Sequence, residues 1–233
     1  MEVELGSKSE NKKPCNKTLN RWIVYLVGMV ILALGICLNA KALLGVSPII
    51  SASYGVSQLC TISFGDVTFL QYVILVILEF VIRGKNYRLH DLLQLVISLI
   101  FTRFMNLFNA FLPSAPEGNI PIQILVLVCA IVLVGIGISM TVNMDLIPNP
   151  GDGIVQAISW KTGKSLGLCK NIVDLSCVAA TCIIGLISHS DFIGTWIGLG
   201  TIIAMLLTGR AVAIFEKIAR EPMLRATGMD KKA

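Results

Sequence analysis

Two short stretches, GVSPIISASYGVSQLCT (residues 45–61) and IPNPGDGIVQAISWKTG (residues 147–163), interrupt a series of long apolar segments. Both are apolar enough to enter a membrane, but proline, glycine, serine and aspartate break them up. They are also shorter than the about 20 residues that a spanning helix needs. We therefore expect each stretch to be a short, broken helical segment rather than a membrane span.

The composition of the chain is that of a membrane protein. Of its 233 residues, 55% are hydrophobic and 14% are charged, whereas about 25% of residues are charged in soluble domains. The formal net charge is +5, but the basic residues form short clusters between apolar runs, so we expect no nucleic-acid partner. These values exclude a soluble globular domain, and the expected partner is the lipid bilayer.

Six long apolar segments are predicted to cross the bilayer as helices. They cover residues 22–44, 66–83, 91–112, 121–143, 167–188 and 194–216. The predicted fold class is therefore an all-α polytopic membrane protein with six transmembrane helices. Residues 1–21 are predicted to form an N-terminal tail, and residues 217–233 a basic C-terminal tail.

The distribution of lysine and arginine predicts which loops face the cytoplasm. Cytoplasmic loops carry an excess of these residues, and six spans place nearly all of them on one side. The loops SAPEGNIP (114–121) and SHSD (188–191) contain neither residue. If the two short stretches also crossed, the basic loop with Arg83 and Lys85 would face outward. We therefore expect six spans with both termini in the cytoplasm.

The chain repeats itself at an offset of 102 residues. Matching residues are Gly35 and Gly137, Pro48 and Pro150, Ser57 and Ser159, Ser63 and Ser165, and Gly65 and Gly167. Each half, 22–112 and 121–216, then contains one span, one broken segment and two further spans. Because three spans is an odd number, the second half is predicted to be inverted relative to the first. Inverted repeats with paired broken segments are typical of membrane transport sites.

Each broken segment carries a signal for the start of a helix. Ser47 precedes Pro48, and Asn149 precedes Pro150; serine and asparagine are good N-caps, and proline is tolerated at the first helical position. Such N-termini favour anions or polar oxygens. Asp152 falls in the first turn, where it either caps its own helix or discourages an anionic ligand. Whether these N-termini reach the middle of the membrane or lie at its surface is left open.

A lone cation lies near the middle of the third span. Arg103 would cost about 2.5–3.5 kcal/mol there without a partner, and Asp174 in the fifth span is the best buried acid for it. Lys170, four residues before Asp174, competes for the same carboxylate. Asn106 follows Arg103 by one turn and widens the polar stripe. An alternative is that Arg103 and Asp174 only lock two spans together.

Two further features are assigned to structure rather than to function. Glu79 and Arg83, four residues apart at the inner end of the second span, are expected to form an exposed pair. Glycines in the spans, such as Gly28, Gly35 and Gly137, are expected to let helix backbones approach closely.

These patterns favour a secondary transporter or permease for a small polar or ionic solute. The candidate binding residues are Ser47, Arg103, Asn106, Asn149, Asp152 and Asp174. The alternative is a non-transporting membrane scaffold or an accessory subunit, and a homo-oligomer is compatible with either. We expect no enzyme, because HExxH and other nucleophile or acid motifs are missing. No metal and no cofactor is expected, since the two histidines lie in separate loops and no CxxC pair occurs.

The glycine, proline and serine residues that interrupt the apolar runs also resemble those of a known family. The runs LGVSPIISASYGVSQLCTISFGDV (44–67), IPNPGDGIVQAISWKTGKSLGLCKNIVD (147–174) and GLGTIIAMLLTGR (198–210) are similar to the YczE/YyaS/YitT family of bacterial integral membrane proteins. The resemblance covers about residues 22–216. It implies a multi-pass protein of the bacterial plasma membrane and implies nothing about a substrate.

Overall fold

The computed structural model describes residues 17–87 and 89–228, and within these residues the chain forms eight α-helices and no β-strand. The helices are α1 (Lys17–Lys41), α2 (Pro48–Leu59), α3 (Phe64–Arg83), α4 (Leu93–Phe111), α5 (Ile120–Asn143), α6 (Pro150–Thr162), α7 (Leu166–Ile187) and α8 (Leu199–Thr227). All except α2 and α6 are long and apolar enough to cross a membrane. The predicted all-α fold class with six such helices is confirmed.

The two short helices occupy the positions of the two broken segments. The order long, short, long, long therefore occurs twice along the chain. The largest difference from the predicted boundaries is at the end of α8, which continues to Thr227 through the first part of the predicted C-terminal tail. The helix α1 likewise begins at Lys17, within the predicted N-terminal tail. The Asn20 side-chain amide donates a hydrogen bond of 3.1 Å to the Ala226 carbonyl. The end of α8 is therefore attached to the start of α1.

Glycines allow α1 and α5 to pack with their backbones in close contact. A Cβ atom placed on Gly35 would lie 2.8 Å from the backbone nitrogen of Val134. A Cβ atom on Gly137 would lie 2.7 Å from the Cα atom of Leu32. The two contacts are reciprocal, since each glycine and each of its partners has its counterpart 102 residues away in the other half. The orientation of the two halves relative to a membrane stays a prediction.

Each short helix packs against the half of the chain to which it does not belong. The helix α2 lies against α7, where the Ser51 and Thr181 hydroxyl groups are hydrogen-bonded at 2.7 Å. The helix α6 lies against α3, where Gly153 leaves room for the Glu79 carboxylate. These two contacts again lie at equivalent positions of the two halves. The halves are thus interlocked through their short helices.

The short helices point their N-terminal ends into the protein. Pro48 and Pro150, their first residues, are buried. Leu59 and Trp160, near their last residues, are 44% and 59% exposed. A helix lying flat on a surface would instead be exposed along one side of its whole length. The N-termini of α2 and α6 therefore lie inside the helical bundle.

The glycine contact between α1 and α5 predicts a specific sensitivity to added volume. Gly137→Ala forces a methyl group against the α1 backbone and is expected to cost about 1–3 kcal/mol of stability. Gly209→Ala in α8 is the control, because no atom lies within 4 Å of its added Cβ. Thermal unfolding of the purified protein in detergent measures both. Equal midpoints for the two variants would contradict the close α1–α5 contact.

Candidate functional site

A cavity of about 220 Å³ lies between the two halves of the chain. The N-termini of both short helices reach it, together with residues from the middle of the long helices. Tyr72 and Asp174, each the ninth residue of its helix, line its wall. Of the predicted site residues, this cavity brings together four, namely Ser47, Asn149, Asp152 and Asp174.

The two halves contribute equivalent residues to this cavity. Pairs separated by 102 positions that both line it are Leu32 and Val134, Ile36 and Ile138, Ser47 and Asn149, Ile49 and Gly151, and Tyr72 and Asp174. The sequence analysis missed Tyr72, although applying the repeat offset to Asp174 leads directly to it. The cavity therefore lies where the two related halves meet.

The two short helices begin differently at this cavity. The Asn149 side chain accepts a hydrogen bond of 3.0 Å from the Gly151 backbone N–H, which caps α6. The Asn149 carbonyl accepts from the N–H groups of Asp152 and Gly153, both at 2.8 Å. Ser47 makes no such side-chain cap on α2. The start of α6 is thus occupied by its own residues, whereas the Ser47 hydroxyl is free of a capping role.

Two carboxylates and one ammonium group line the cavity. The Lys170 Nζ atom lies 3.4 Å from an Asp174 carboxylate oxygen, and the Asp174 side chain is only 6% exposed. Among the described residues, none donates a hydrogen bond to the Asp152 carboxylate or forms an ion pair with it. The cavity wall therefore carries two carboxyl groups against one ammonium group.

The predicted ion pair between Arg103 and Asp174 is wrong. Arg103 instead pairs with Asp66 in the first turn of α3. The Asn106 amide donates to the same carboxylate at 3.3 Å and accepts from the Gly65 N–H at 2.7 Å. The physical reason is proximity, since α3 and α4 pack side by side while Asp174 is taken by its own helix neighbour Lys170. Arg103 and Asn106 therefore form a separate polar cluster outside the cavity.

Contacts at the start of α3 are tight, while those at the equivalent start of α7 are open. A Cβ atom on Gly65 would lie 2.3 Å from the Thr102 carbonyl oxygen of α4. Gly167, the counterpart of Gly65 in α7, and Gly209 of α8 have no atom within 4 Å of such a Cβ. Both of these glycines line the cavity. The cavity thus extends into the space between α7 and α8.

The turn after α1 is covered by the segment that joins α7 to α8. The Val46 N–H donates to the Trp196 carbonyl at 3.1 Å, and the Gly200 N–H donates to the Leu44 carbonyl at 2.7 Å. The Trp196 ring also packs on Gly55 of α2. We call this face, together with the Arg103–Asp66 pair, the closed side.

The corresponding turn after α5 borders a second cavity. This space measures about 150 Å³ and shares Asn149 and Asp152 with the first cavity. The two turns have the same backbone design, since Leu43 and Asp145, 102 residues apart, both adopt left-handed φ angles of 58° and 46°. The turn after α5 is also bonded from α1, since the Arg21 side chain donates to the Met144 carbonyl at 2.7 Å and the Tyr25 hydroxyl to the Ile147 carbonyl at 2.9 Å. It differs from the turn after α1 in bordering a cavity, and we call this second face the open side.

The Glu79–Arg83 pair forms, but the expectation that it is exposed is wrong. Glu79 is fully buried, with its carboxylate 2.9 Å from the Arg83 Nε atom. The Gln94 amide donates to the other carboxylate oxygen at 3.1 Å. Burial follows because α6 packs over α3 at this point, with Gly153 against the Glu79 carboxylate. This polar group anchors α6 between α3 and α4.

Comparison with known proteins identifies a family and no characterised relative. The sequence model of one family, described as a family of unknown function (DUF6198), matches residues 19–217. No curated protein and no solved structure matches the chain at a significant level. The family match covers nearly all of α1, the whole of α2 to α7 and most of α8, and it includes every residue that lines the cavity.

The pairing of Arg103 predicts the outcome of a charge exchange. Arg103→Asp places two carboxylates together at the α3–α4 contact and is expected to lower the thermal midpoint. Adding Asp66→Arg restores the opposite charges, with a coupling energy of about 0.5–3 kcal/mol for residues in contact. Adding Asp174→Arg instead is the control and gives no recovery. If the thermal midpoint recovered only when Asp174→Arg was added, Arg103 would be paired with Asp174 and not with Asp66.

Proposed function

This chain belongs to the DUF6198 family, a family of unknown function, and from its geometry we propose that it is a secondary transporter or permease for a small polar or ionic solute. The observation that carries the proposal is the cavity lined by equivalent residues of the two halves. Transporters built from inverted repeats bind their substrates at the repeat interface, near broken helices and at mid-membrane depth. The positions of Tyr72 and Asp174, each ninth in its long helix, support such a depth, and α2 and α6 correspond to the broken helices.

The difference between the two sides supports this function. Alternating access requires one side of a central site to close while the other opens. The cavity has a closed side at Trp196 and the Arg103–Asp66 pair, and an open side at the turn after α5. In either end state of such a transporter, the two related halves have different arrangements, and the two halves of this chain differ in the same way.

The placement in the cell remains part of the proposal. We infer from the basic residues that both termini lie in the cytoplasm and that the open side is the cytoplasmic one. The plasma membrane follows only from the resemblance to the YczE/YyaS/YitT family, and we propose membership of that group on the same grounds.

Side-specific cysteine labelling tests the proposal without knowledge of the solute. The chain is made without its seven native cysteines, and Ser47→Cys then reports on the cavity. We expect a membrane-impermeant maleimide to label this cysteine from the open side only. Arg103→Ala releases the closed side and is expected to add labelling from that side; Trp196→Ala removes a second contact there and acts in the same direction.

Matched surface cysteines define the two sides in the same experiment. Leu59→Cys and Lys161→Cys lie 102 residues apart at the exposed ends of α2 and α6. We expect them to react from opposite sides, and reaction from one common side would overturn the inverted repeat. If Ser47→Cys reacts from neither side, or if neither Arg103→Ala nor Trp196→Ala changes its reactive side, the scaffold alternative is favoured.

A further inference from the structure

We propose that the cavity binds a small organic cation, an amine with an apolar body, whose ammonium group is held by Asp152 and Asp174. This inference rests on the proposed function, because it names the substrate class for the same cavity. It follows from three features of the cavity wall: its charge, its apolar side and the position of Lys170.

The charge of the wall favours a positive ligand. Asp152 and Asp174 share the single ammonium group of Lys170, and Asp152 has no ion-pair partner among the described residues. A buried charge is costly unless it is paired, and an opposite charge in a low-dielectric cavity is attracted more strongly than in water. A monovalent cation beside the two acids favours their ionised form and, with Lys170, balances their two negative charges, whereas an anion would be repelled by them.

The helix N-termini do not reverse this preference. A free N-terminus attracts anions, but α6 is already capped by Asn149 and carries Asp152 in its first turn. The ligand-facing side of α6 is therefore acidic. The start of α2 has no side-chain cap and keeps a partial positive charge of about half a unit, which is less than the charge of one carboxylate. The Ser47 hydroxyl group at this place can also accept a hydrogen bond from an ammonium group.

The apolar part of the cavity wall favours an organic cation over a bare metal ion. Leu32, Ile36, Val134 and Ile138 give the cavity an apolar surface. A hard cation such as Ca²⁺ prefers about six to eight oxygen ligands, and no group of three or more metal-binding side chains occurs in the described part of the chain. A volume of about 220 Å³ lies below the about 300–1,000 Å³ of pockets for drug-sized ligands. The cavity therefore suits a small amphipathic amine.

The Lys170 ammonium group competes with the ligand for the Asp174 carboxylate. Its side chain is 47% exposed, whereas that of Asp174 is 6% exposed. Lysine has a flexible stem and a compact charge, so its ammonium group can move toward the open side and leave Asp174 to the ligand. Removing the Lys170 charge is therefore expected to strengthen amine binding, the reverse of its effect on an anionic ligand.

Three probes of matched size test the inference on the full chain in detergent. They are n-butylammonium, n-butyrate and butan-1-ol, and binding is measured as a saturable rise in the thermal midpoint. We expect only n-butylammonium to give this rise. Asp152→Asn is expected to weaken its binding at least tenfold, or about 1.4 kcal/mol. Lys170→Gln is expected to tighten it several-fold.

Asp191→Asn is the matched control, because it removes a carboxylate that is exposed in the turn between α7 and α8. It is expected to leave the affinity for n-butylammonium unchanged. If Asp152→Asn does not fold, the direction of the Lys170→Gln effect decides. Tighter butyrate than butylammonium binding, or weaker amine binding in Lys170→Gln, overturns the inference.

The outcomes separate this inference from the proposed function. Side-specific labelling of Ser47→Cys that responds to Arg103→Ala, with no amine binding, overturns the cationic substrate and leaves transport in place. If the amine binds but neither Arg103→Ala nor Trp196→Ala changes the side from which Ser47→Cys is labelled, the cation site is supported and the proposed transport function is overturned.

Discussion

The close approach of α1 and α5 is the contact on which the rest of the structure depends. Because Gly35 and Gly137 carry no side chain, each helix backbone reaches the other at equivalent positions. In lipid there is little hydrophobic force between helices, so such van der Waals contact must hold the halves together. The same reciprocity brings Ser47 and Asn149 to one cavity. Larger residues at the two glycines would separate the halves and the cavity walls with them.

The two short helices, each packed against the other half, bring polar residues to the cavity beside the α1–α5 contact. Since α2 packs on α7 and α6 packs on α3, each half holds the other half's broken helix in place. Buried polar contacts fix both positions, a hydroxyl pair at Thr181 and the carboxylate of Glu79. Polar groups inside a membrane are costly unless they are paired. The Ser51–Thr181 pair is made across the two halves. The Glu79 carboxylate is paired within the first half by Arg83 and Gln94 and lies against Gly153 of α6. The acidic wall of the cavity is therefore positioned by elements from both halves.

Much of this arrangement can be predicted from the sequence, and the failures have physical reasons. Six long apolar helices, two broken segments and three residues of the cavity follow from hydropathy and from proline at helix starts. Asp174 follows from the cost of placing an acid inside a span, although the partner predicted for it is wrong. Asp66 was missed because it lies at a span boundary, where an acid needs no explanation. The burial of Glu79 depends on the packing of α6 over α3, which no local pattern encodes. The extension of α8 to Thr227 likewise depends on its contact with α1.

The repeat is least perfect at the starts of α3 and α7. The first half has Asp66 facing Arg103, whereas the equivalent position in the second half is Leu168. The Arg103–Asp66 ion pair is thus encoded in the first half only. In the second half, Gly167 and Gly209 have open space around them. In the transport cycle proposed above, the two faces would then close through different contacts, one sensitive to charge and one to shape. Because Leu168 stands where the first half has Asp66, the two similar halves are not interchangeable at this place, and added salt weakens the contact in the first half only.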